Sequence, residues 1–557
     1  MKKPILALVA VATSLVSTHA QITFQSGVSL PVGGEIVSFK NGQLLTTNSG
    51  NNSGTFFHGV QSYNLQSNGS LTPGLSIDLG GVFGVNATSS ITSVYADVRG
   101  FGVASIVPTA TTSADFGRIA FFDLANGSIL KTLDVGYHPD SVVMTPDGTK
   151  LLVANEGEYG STNSTISEAF ARPGSVSVVN LSAITNAAGL SNLTASDVNT
   201  YDFSSGNLGN GVTLLGVRDN TLATNNATTT AGFANIEPEY IAPTNDKAYV
   251  TLQENNAIAV LDLASGRYEA IHKLGAITQT VDASDRDGAG NTPLIAINDT
   301  LKGLPMPDTT VLFTKNGTTL LATANEGDAR PDDGDIARGS TLNATMTADV
   351  AAKNNNTGIA RLSLLKDQGR DADGKIADPT MLGTRSFSLW NAETGNLVFD
   401  SGSAIEQWVA ANDSTVFNIN SGNATLWDTR SDDKGPEPEA LAFGRIDGKD
   451  YIFVGAERQN GIFQFDITDL TNVSIVGYFN PVSSTADTGA AYISPESILF
   501  LDAASNPTGK NLLVVGFEGT GSNGSIGVFE VVPEPQTWAL LGLGAAFALR
   551  QIRRRRA

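Results

Sequence analysis

The chain contains no cysteine, which removes disulfide bonds, thiolate nucleophiles and zinc–thiolate sites from consideration. Histidine is scarce as well, with four in 557 residues, and His19 lies in a leader-like segment. Basic residues are outnumbered, 34 Lys and Arg against 55 Asp and Glu, for a formal charge of −21. Several of those few cations (Lys2, Lys3, Arg550 and Arg553 to Arg556) sit at the extreme ends, so the body between them is more acidic still. Such a body repels phosphate backbones, which argues against nucleic acid as a partner. Neither a serine nucleophile elbow nor a phosphate-cradling glycine loop occurs.

Apolar residues are plentiful, at 41% hydrophobic with 58 glycines, enough for a large core. They are arranged as short Val/Ile/Leu/Phe runs between Gly, Asn, Asp and Pro, which predicts many short strands rather than helices. The expected class is all-β.

Residues 1–20, MKKPILALVAVATSLVSTHA, place two lysines before an apolar stretch and end on Thr18-His19-Ala20, the order of a cleavable signal peptide. Residues 533–557 begin Pro533-Glu534-Pro535, run through thirteen apolar residues from Thr537 to Leu549, and end in arginines. Thirteen is short for a spanning helix. This tail resembles the PEP-CTERM sorting signal of Gram-negative bacteria that make extracellular polysaccharide. The resemblance implies export, transient inner-membrane anchoring with the arginines inside, and cutting by an exosortase-type enzyme near Pro-Glu-Pro.

Between these ends, GYHPDSVVMTPDGTKLLVANEGE from Gly136 introduces a recurring unit: Pro-acidic, apolar run, tight turn, apolar run, acidic residue, and then a further strand. It returns from Glu237, Pro305, Glu437 and Ser494, with two degenerate copies upstream, seven in all. Units of three or four short strands with glycine-rich turns are the sequence form of propeller blades. The expectation is a seven-bladed β-propeller over residues 21–532, with ITFQSGVSL near the N-terminus completing the last blade. Long insertions at Thr185 to Ala234, Arg330 to Arg385 and Ile405 to Asp433 read as surface excursions or lids.

In an antiparallel pair, the start of one strand and the end of the next lie at the same edge. Asp140 and Glu156 are therefore expected at one rim, as are Glu239 with Glu254, Asp308 with Glu326, Glu439 with Glu457, and Glu496 with Glu518. Asp328 follows from the third pair in the run EGDARPDDGD. Around a channel mouth these acids repel unless cations, arginines or protonation relieve them, and a carboxylate set suits a hard divalent ion, calcium first. The alternative partners are Arg330, Arg445 and Arg458. DASDRDGAGN, Asp282 to Asn291, and DADGK, Asp371 to Lys375, look like fragments of calcium loops without full EF-hand spacing.

The units GYHPDSVVMTPDGTKLLVANEGE, EPEYIAPTNDKAYVTLQENNAIAVLDL, ANEGDAR, GPEPEALAFGRIDGKDYIFVGAERQNGIFQFDI and PTGKNLLVVGFEGTGSNGSIGVFEV together resemble the choice-of-anchor I family, shared with mesenchyme-specific cell surface glycoproteins of biomineralising animals. After NEGDAR the chain departs from the family pattern with PDDGD. The resemblance implies a surface location and an association with calcium. The function expected is a non-catalytic binding module of the envelope or matrix, taking calcium, extracellular polysaccharide or a surface protein. The competing class is a metal-dependent phosphoesterase of the alkaline phosphatase-like kind or another propeller hydrolase, with His138 the one histidine at the rim. Trp390, Trp408 and Trp427 are candidates for stacking on sugars.

Overall fold

The computed structural model describes residues 21–52, 55–83, 89–108, 116–157, 172–218, 236–329, 336–482, 492–519 and 523–532. The leader 1–20, Arg330 and the sorting tail 533–557 lie outside them.

Seven four-stranded antiparallel sheets are present among these residues. Their first strands, in chain order, are Val37–Lys40, Ser89–Ala96, Pro139–Met144, Pro238–Pro243, Thr310–Lys315, Pro438–Ile446 and Pro495–Leu501. They are called sheets one to seven below. Each first strand contacts the next, and the last contacts the first, so the array closes on itself as a β-propeller. Tight turns make each hairpin. Asn41, Asn316 and Asp447 take left-handed backbone and are each followed by a glycine at positive φ, the combination a two-residue hairpin turn demands.

Closure is carried by the N-terminal strand. Gln21–Ser29 pairs antiparallel with Ser525–Val532 as the outermost strand of sheet seven, joining the two ends of the chain. Phe24 packs edge-on against Tyr492 at 5.3 Å and Phe529 at 5.6 Å. The core lies between neighbouring sheets, because alternate residues of each strand face opposite sides. Leu152, Val176, Val250, Ala259 and Tyr268 fill the layer between sheets three and four, and Phe453, Ile462, Leu513, Val515 and Phe529 that between six and seven. Each Val, Leu, Ile or Phe among them contributes roughly 1.5–3 kcal/mol by leaving water.

The insertions are more structured than their composition predicts. Val198–Asp202, inside the first, is the outer strand of sheet three; its polar, half-exposed pattern hides it in the sequence. Leu342, Val350, Leu362, Ile376 and Met381 of the second pack with Val281 and Leu301, which precede it, and its Thr380–Leu382 joins Ile277–Val281 and Asp299–Leu304 in a three-stranded sheet. The third contributes helix α1, Ala404–Asn412, whose Ile405 and Val409 join Val416, Phe417 and Ile419 in the core of sheets five and six. Trp390 is no sugar platform, being buried and donating to Thr323 Oγ1 at 2.9 Å; Trp408, partly exposed, packs on Tyr478 at 4.4 Å, and Trp427, also partly exposed, donates to the Ser414 carbonyl at 2.7 Å. Among the described residues no helix is long and apolar enough to cross a membrane.

Candidate metal centre at the acidic mouth

Four first strands share an irregularity one residue after their opening proline. The register slips, so that Asp140, Glu439 and Glu496 are each the extra residue of a bulge, while Glu239 and Tyr240 together oppose Thr251. In sheet five Asp308 N donates to the Ala324 carbonyl and Ala324 N to that of Thr309, again two residues against one. A bulge re-aims the side chain it carries, and a proline without an N–H is at home beside it. Every Pro-acidic dipeptide of the repeat is thus a bulge that turns a carboxylate out of the strand.

The second strand of each hairpin delivers the partner acid. Glu156 N donates to the His138 carbonyl at 2.8 Å, Glu457 N to that of Glu437 at 2.7 Å and Glu518 N to that of Ser494 at 2.9 Å. The accepting residues, with Met306 in sheet five, all hold left-handed backbone (φ 47°, 54°, 58° and 44°). Such backbone costs of the order of 1–3 kcal/mol per residue and gathers at functional sites.

Three overlapping trios of carboxylates have oxygens within 4.8 Å of one another: Asp308, Glu326 and Glu439; Glu326, Glu437 and Glu457; and Glu439, Glu457 and Glu496. Five of these six acids are in the predicted set. Asp140, Glu156, Glu239, Glu254 and Glu518 lie outside the trios, and Asp328 is exposed. Glu437 was not anticipated, although the repeated Glu-Pro-Glu that also precedes Tyr240 is its signal. Glu35, just ahead of the first strand of sheet one, was missed because its repeat copy is degenerate; it faces Glu518 and Asp140.

Burial is the first cause that raises the carboxyls of Glu239, Asp308, Glu439 and Glu496 well above their usual range, and repulsion among them adds to it. Burial, then Glu518 and Asp140, pushes Glu35 to about 7; burial, then Glu437, pushes Glu457 to about 8. Glu439 and Glu496 present oxygens within 4.8 Å of one another, and their contact works to raise the carboxyl of Glu439 and to lower that of Glu496. Tyr240 stands among acids of four other sheets: burial first, then Asp308, Asp140, Glu439 and Glu496 raise its hydroxyl.

Part of the charge is met by cations from the third insertion and its end. Lys434 Nζ lies 2.5 Å from Glu326 and 3.1 Å from Glu437. Arg430 also binds Glu437, and Arg458 is 2.7 Å from Glu457. Burial alone would raise the Glu437 carboxyl, but Lys434, Arg430 and Arg458 outweigh it and hold it below the usual value. Of the arginines expected at the rim, Arg458 is there; Arg445 instead pairs with Asp450 at 2.7 Å. The trio centred on Glu437 is therefore filled by protein cations. The two trios through Glu439 have fewer, and Glu439 Oε2 is buried without a hydrogen-bond partner. An oxygen-only donor set of this kind fits a hard divalent cation.

His138 is bound to Glu156 through Nδ1.

These observations define a β-propeller with a carboxylate-lined mouth. The choice-of-anchor I domain model matches residues 35–470, and the chain belongs to that family. The PEP-CTERM protein-sorting motif matches residues 531–555, which marks an exported bacterial surface protein processed by exosortase-type sorting machinery. Gigasin-3a of Magallana gigas is 33% identical over 189 residues, 31% of this chain and 64% of that protein; the chain thus spans less than two thirds of this relative's length. Among solved structures, the C-terminal WD40 domain of Sif2 aligns with 92% of this chain and 99% of its own at 10% identity and a TM-score of 0.39. Hydrazine synthase of Kuenenia stuttgartiensis covers 90% and 97% at 11% identity and 0.41.

Proposed function

We propose that this protein is a non-catalytic binding module of a Gram-negative cell surface, and that its mouth takes up calcium through Glu439 with Asp308, Glu326, Glu457 and Glu496. The observation that carries the reading is the pair of overlapping carboxylate trios that share Glu439, with Glu439 Oε2 left without a hydrogen-bond partner. A bound dication would release the repulsion among these carboxylates. Asp140, Glu239 and Glu35 would then hold further charge around the same channel, a focusing field for cations or for a basic partner surface.

The topology also orients the module. Val532, the last described residue before the sorting tail, pairs with Gln21 at the end of sheet seven opposite to Pro495 and Phe517. A chain held by its tail would therefore turn the acidic mouth away from the membrane, towards extracellular polysaccharide or a neighbouring surface protein.

A thermal melt of the purified protein in chelator, calcium and magnesium, at matched ionic strength, tests the reading. Calcium at about 100 times its dissociation constant adds about 2.7 kcal/mol to the folded state; a selective rise in Tm, lost in E439Q, is expected. No rise beyond the salt control would remove calcium from the proposal. Metal-dependent turnover of a generic phosphate ester, abolished by the same substitution, would turn the module into an enzyme.

A further inference from the structure

Apart from the carboxylates of the mouth, a cleft of about 590 Å³ opens between the three-stranded sheet and the body of the second insertion. Small-molecule sites occupy about 300–1,000 Å³. The cleft is lined by Asp299 and Lys302 of the strand Asp299–Leu304, by Lys353 at the end of the short helix Ala348–Lys353, and by Asp378 just ahead of Thr380–Leu382. Thr278 and Asn298 add neutral donors and acceptors. Leu301, Val350 and Ile359, which are buried, give it an apolar wall.

The charged groups of this cleft are left over from the fold. Elsewhere lysines are matched: Lys247 lies 2.5 Å from Glu269, Lys315 2.8 Å from Asp450 and Lys510 2.6 Å from Glu530. Among the described residues, Asp299, Lys302, Lys353 and Asp378 form no salt bridge and no side-chain hydrogen bond, although two charges of each sign line one cavity. Their backbones are fixed. Asp299 pairs with Val281 and Lys302 with Thr278, Lys302 N donates to the Pro379 carbonyl at 3.2 Å, and Asp378 N to that of Gly369 at 3.0 Å. Polar groups carried on paired backbone are set in place before a ligand arrives, which lowers the ordering cost of binding. Two carboxylates and two ammonium groups cancel, so the cleft has no net charge with which to select an ion of either sign.

We infer that this cleft binds a neutral saccharide, as the end or a short stretch of a polysaccharide chain. A hydroxyl both donates and accepts, so the hydroxyls of a sugar can donate to Asp299 and Asp378 and accept from Lys302 and Lys353, and hydrogen bonds to ionised groups are the stronger kind. The C–H face of the ring covers Leu301, Val350 and Ile359. The strands of the cleft lead on to the mouth: Leu304 is followed by Pro305 and Met306, and Leu382 by Gly383, where an added Cβ would stand 2.1 Å from the Glu326 carbonyl oxygen. The saccharide is therefore held beside the mouth without drawing on its carboxylates, and the site is independent of calcium.

The test is binding of the purified full chain to an array of neutral gluco- and galacto-oligosaccharides, with acidic and amino-bearing oligosaccharides and zwitterionic dipeptides on the same surface. A neutral oligosaccharide is expected to bind equally in chelator and in calcium, and equally at low and high salt, because no net charge is engaged. D299N should weaken it by about tenfold, the consequence of losing one hydrogen bond to a charged group. K353A, at an exposed position, gives the same reading should D299N fold poorly, and D373N in the neighbouring exposed turn should leave binding unchanged. Three results overturn the inference: no neutral oligosaccharide bound above background, binding undiminished in both D299N and K353A, or a preference for dipeptides or charged oligosaccharides that falls with salt. Binding that disappears in E439Q would assign the saccharide to the mouth and also overturns it.

Discussion

Sheet two and sheet six solve the same geometric problem with different residues. Both first strands carry a bulge near the mouth, but the extra residue is Thr92 in sheet two and Glu439 in sheet six. The Thr92 hydroxyl donates to the Pro139 carbonyl at 2.6 Å and meets Ser105 Oγ at 2.8 Å, so that bulge is satisfied by neutral groups within the fold. Glu439 instead stands with its carboxyl against those of Glu457 and Glu496 and leaves one buried oxygen unpartnered. The bulge therefore does not require an acid. Carboxylates at this position in sheets three to seven are an addition to the propeller, kept despite the cost of burying them, and that is the reason for assigning them to a ligand.

The largest effect should come from removing the cation that makes the crowded side tolerable. Lys434→Met strips Glu326 and the fully buried Glu437 of an ammonium that both contact. Breaking a buried pair from one side costs about 3–5 kcal/mol, and chemical denaturation in chelator would measure it. An unchanged midpoint would mean that Arg430 and Arg458 carry the neutralisation alone, and the contrast between the two sheets would lose its electrostatic basis.

Next comes pH. Carboxyls raised in the folded state bind protons that the unfolded chain releases, so their contribution is full below the ordinary value of about 4.5 and is lost as pH rises through the folded one. Glu35, at about 7, and Glu457, at about 8, set the window, and Glu239, Asp308, Glu439 and Glu496 shift in the same direction. In chelator, Tm should fall between about pH 5 and pH 8, and calcium at pH 8 should restore it. A flat profile would mean that the mouth is solvated and its acids ordinary.

Transplanting the neutral solution has a smaller effect. Glu496→Thr should raise stability in chelator at pH 8 by about 1 kcal/mol, against the usual direction of single substitutions, while diminishing the response to calcium. Loss of stability under both conditions would make Glu496 structural.

The contrast also separates what could be read from the sequence from what could not. Pro-acidic dipeptides, apolar runs and turn residues are local signals, and they located the hairpins and most of the mouth, because antiparallel pairing alone brings Asp140 to Glu156 and Glu439 to Glu457. The bulges were not legible: Pro139-Asp140-Ser141 reads as plain alternation, and only the register shows that Asp140 is skipped. Nor were the counterions, since Lys434 and Arg430 come from an insertion whose path depends on α1 packing into the core of sheets five and six. Arg218 reaches the Glu254 carbonyl at 2.8 Å and pairs with Asp367 of another insertion, 149 residues away, a contact that no local pattern encodes. Glu35 was lost for a different reason: a decayed repeat keeps the strand but not the flanking Pro-acidic mark.

Arg445 supplies the smallest effect and the sharpest control. It is close in sequence to Glu439 and was a natural counterion for the rim, yet strand direction carries it along Pro438–Ile446 away from the mouth, where it binds Asp450 beside Lys315. Lys315 Nζ is 2.8 Å from the same carboxylate, so Asp450 keeps a partner when Arg445 is removed. Exposed pairs of this kind contribute little. Arg445→Ala should leave Tm, its pH profile and the calcium increment unchanged within error, whereas Arg458→Ala, at the mouth end of the same sheet, should alter the pH profile by releasing Glu457 and Glu437. If both substitutions moved the calcium response alike, the effect would be long-range net charge, which high salt would screen; if only Arg458 does, the response belongs to the contacts of the mouth itself.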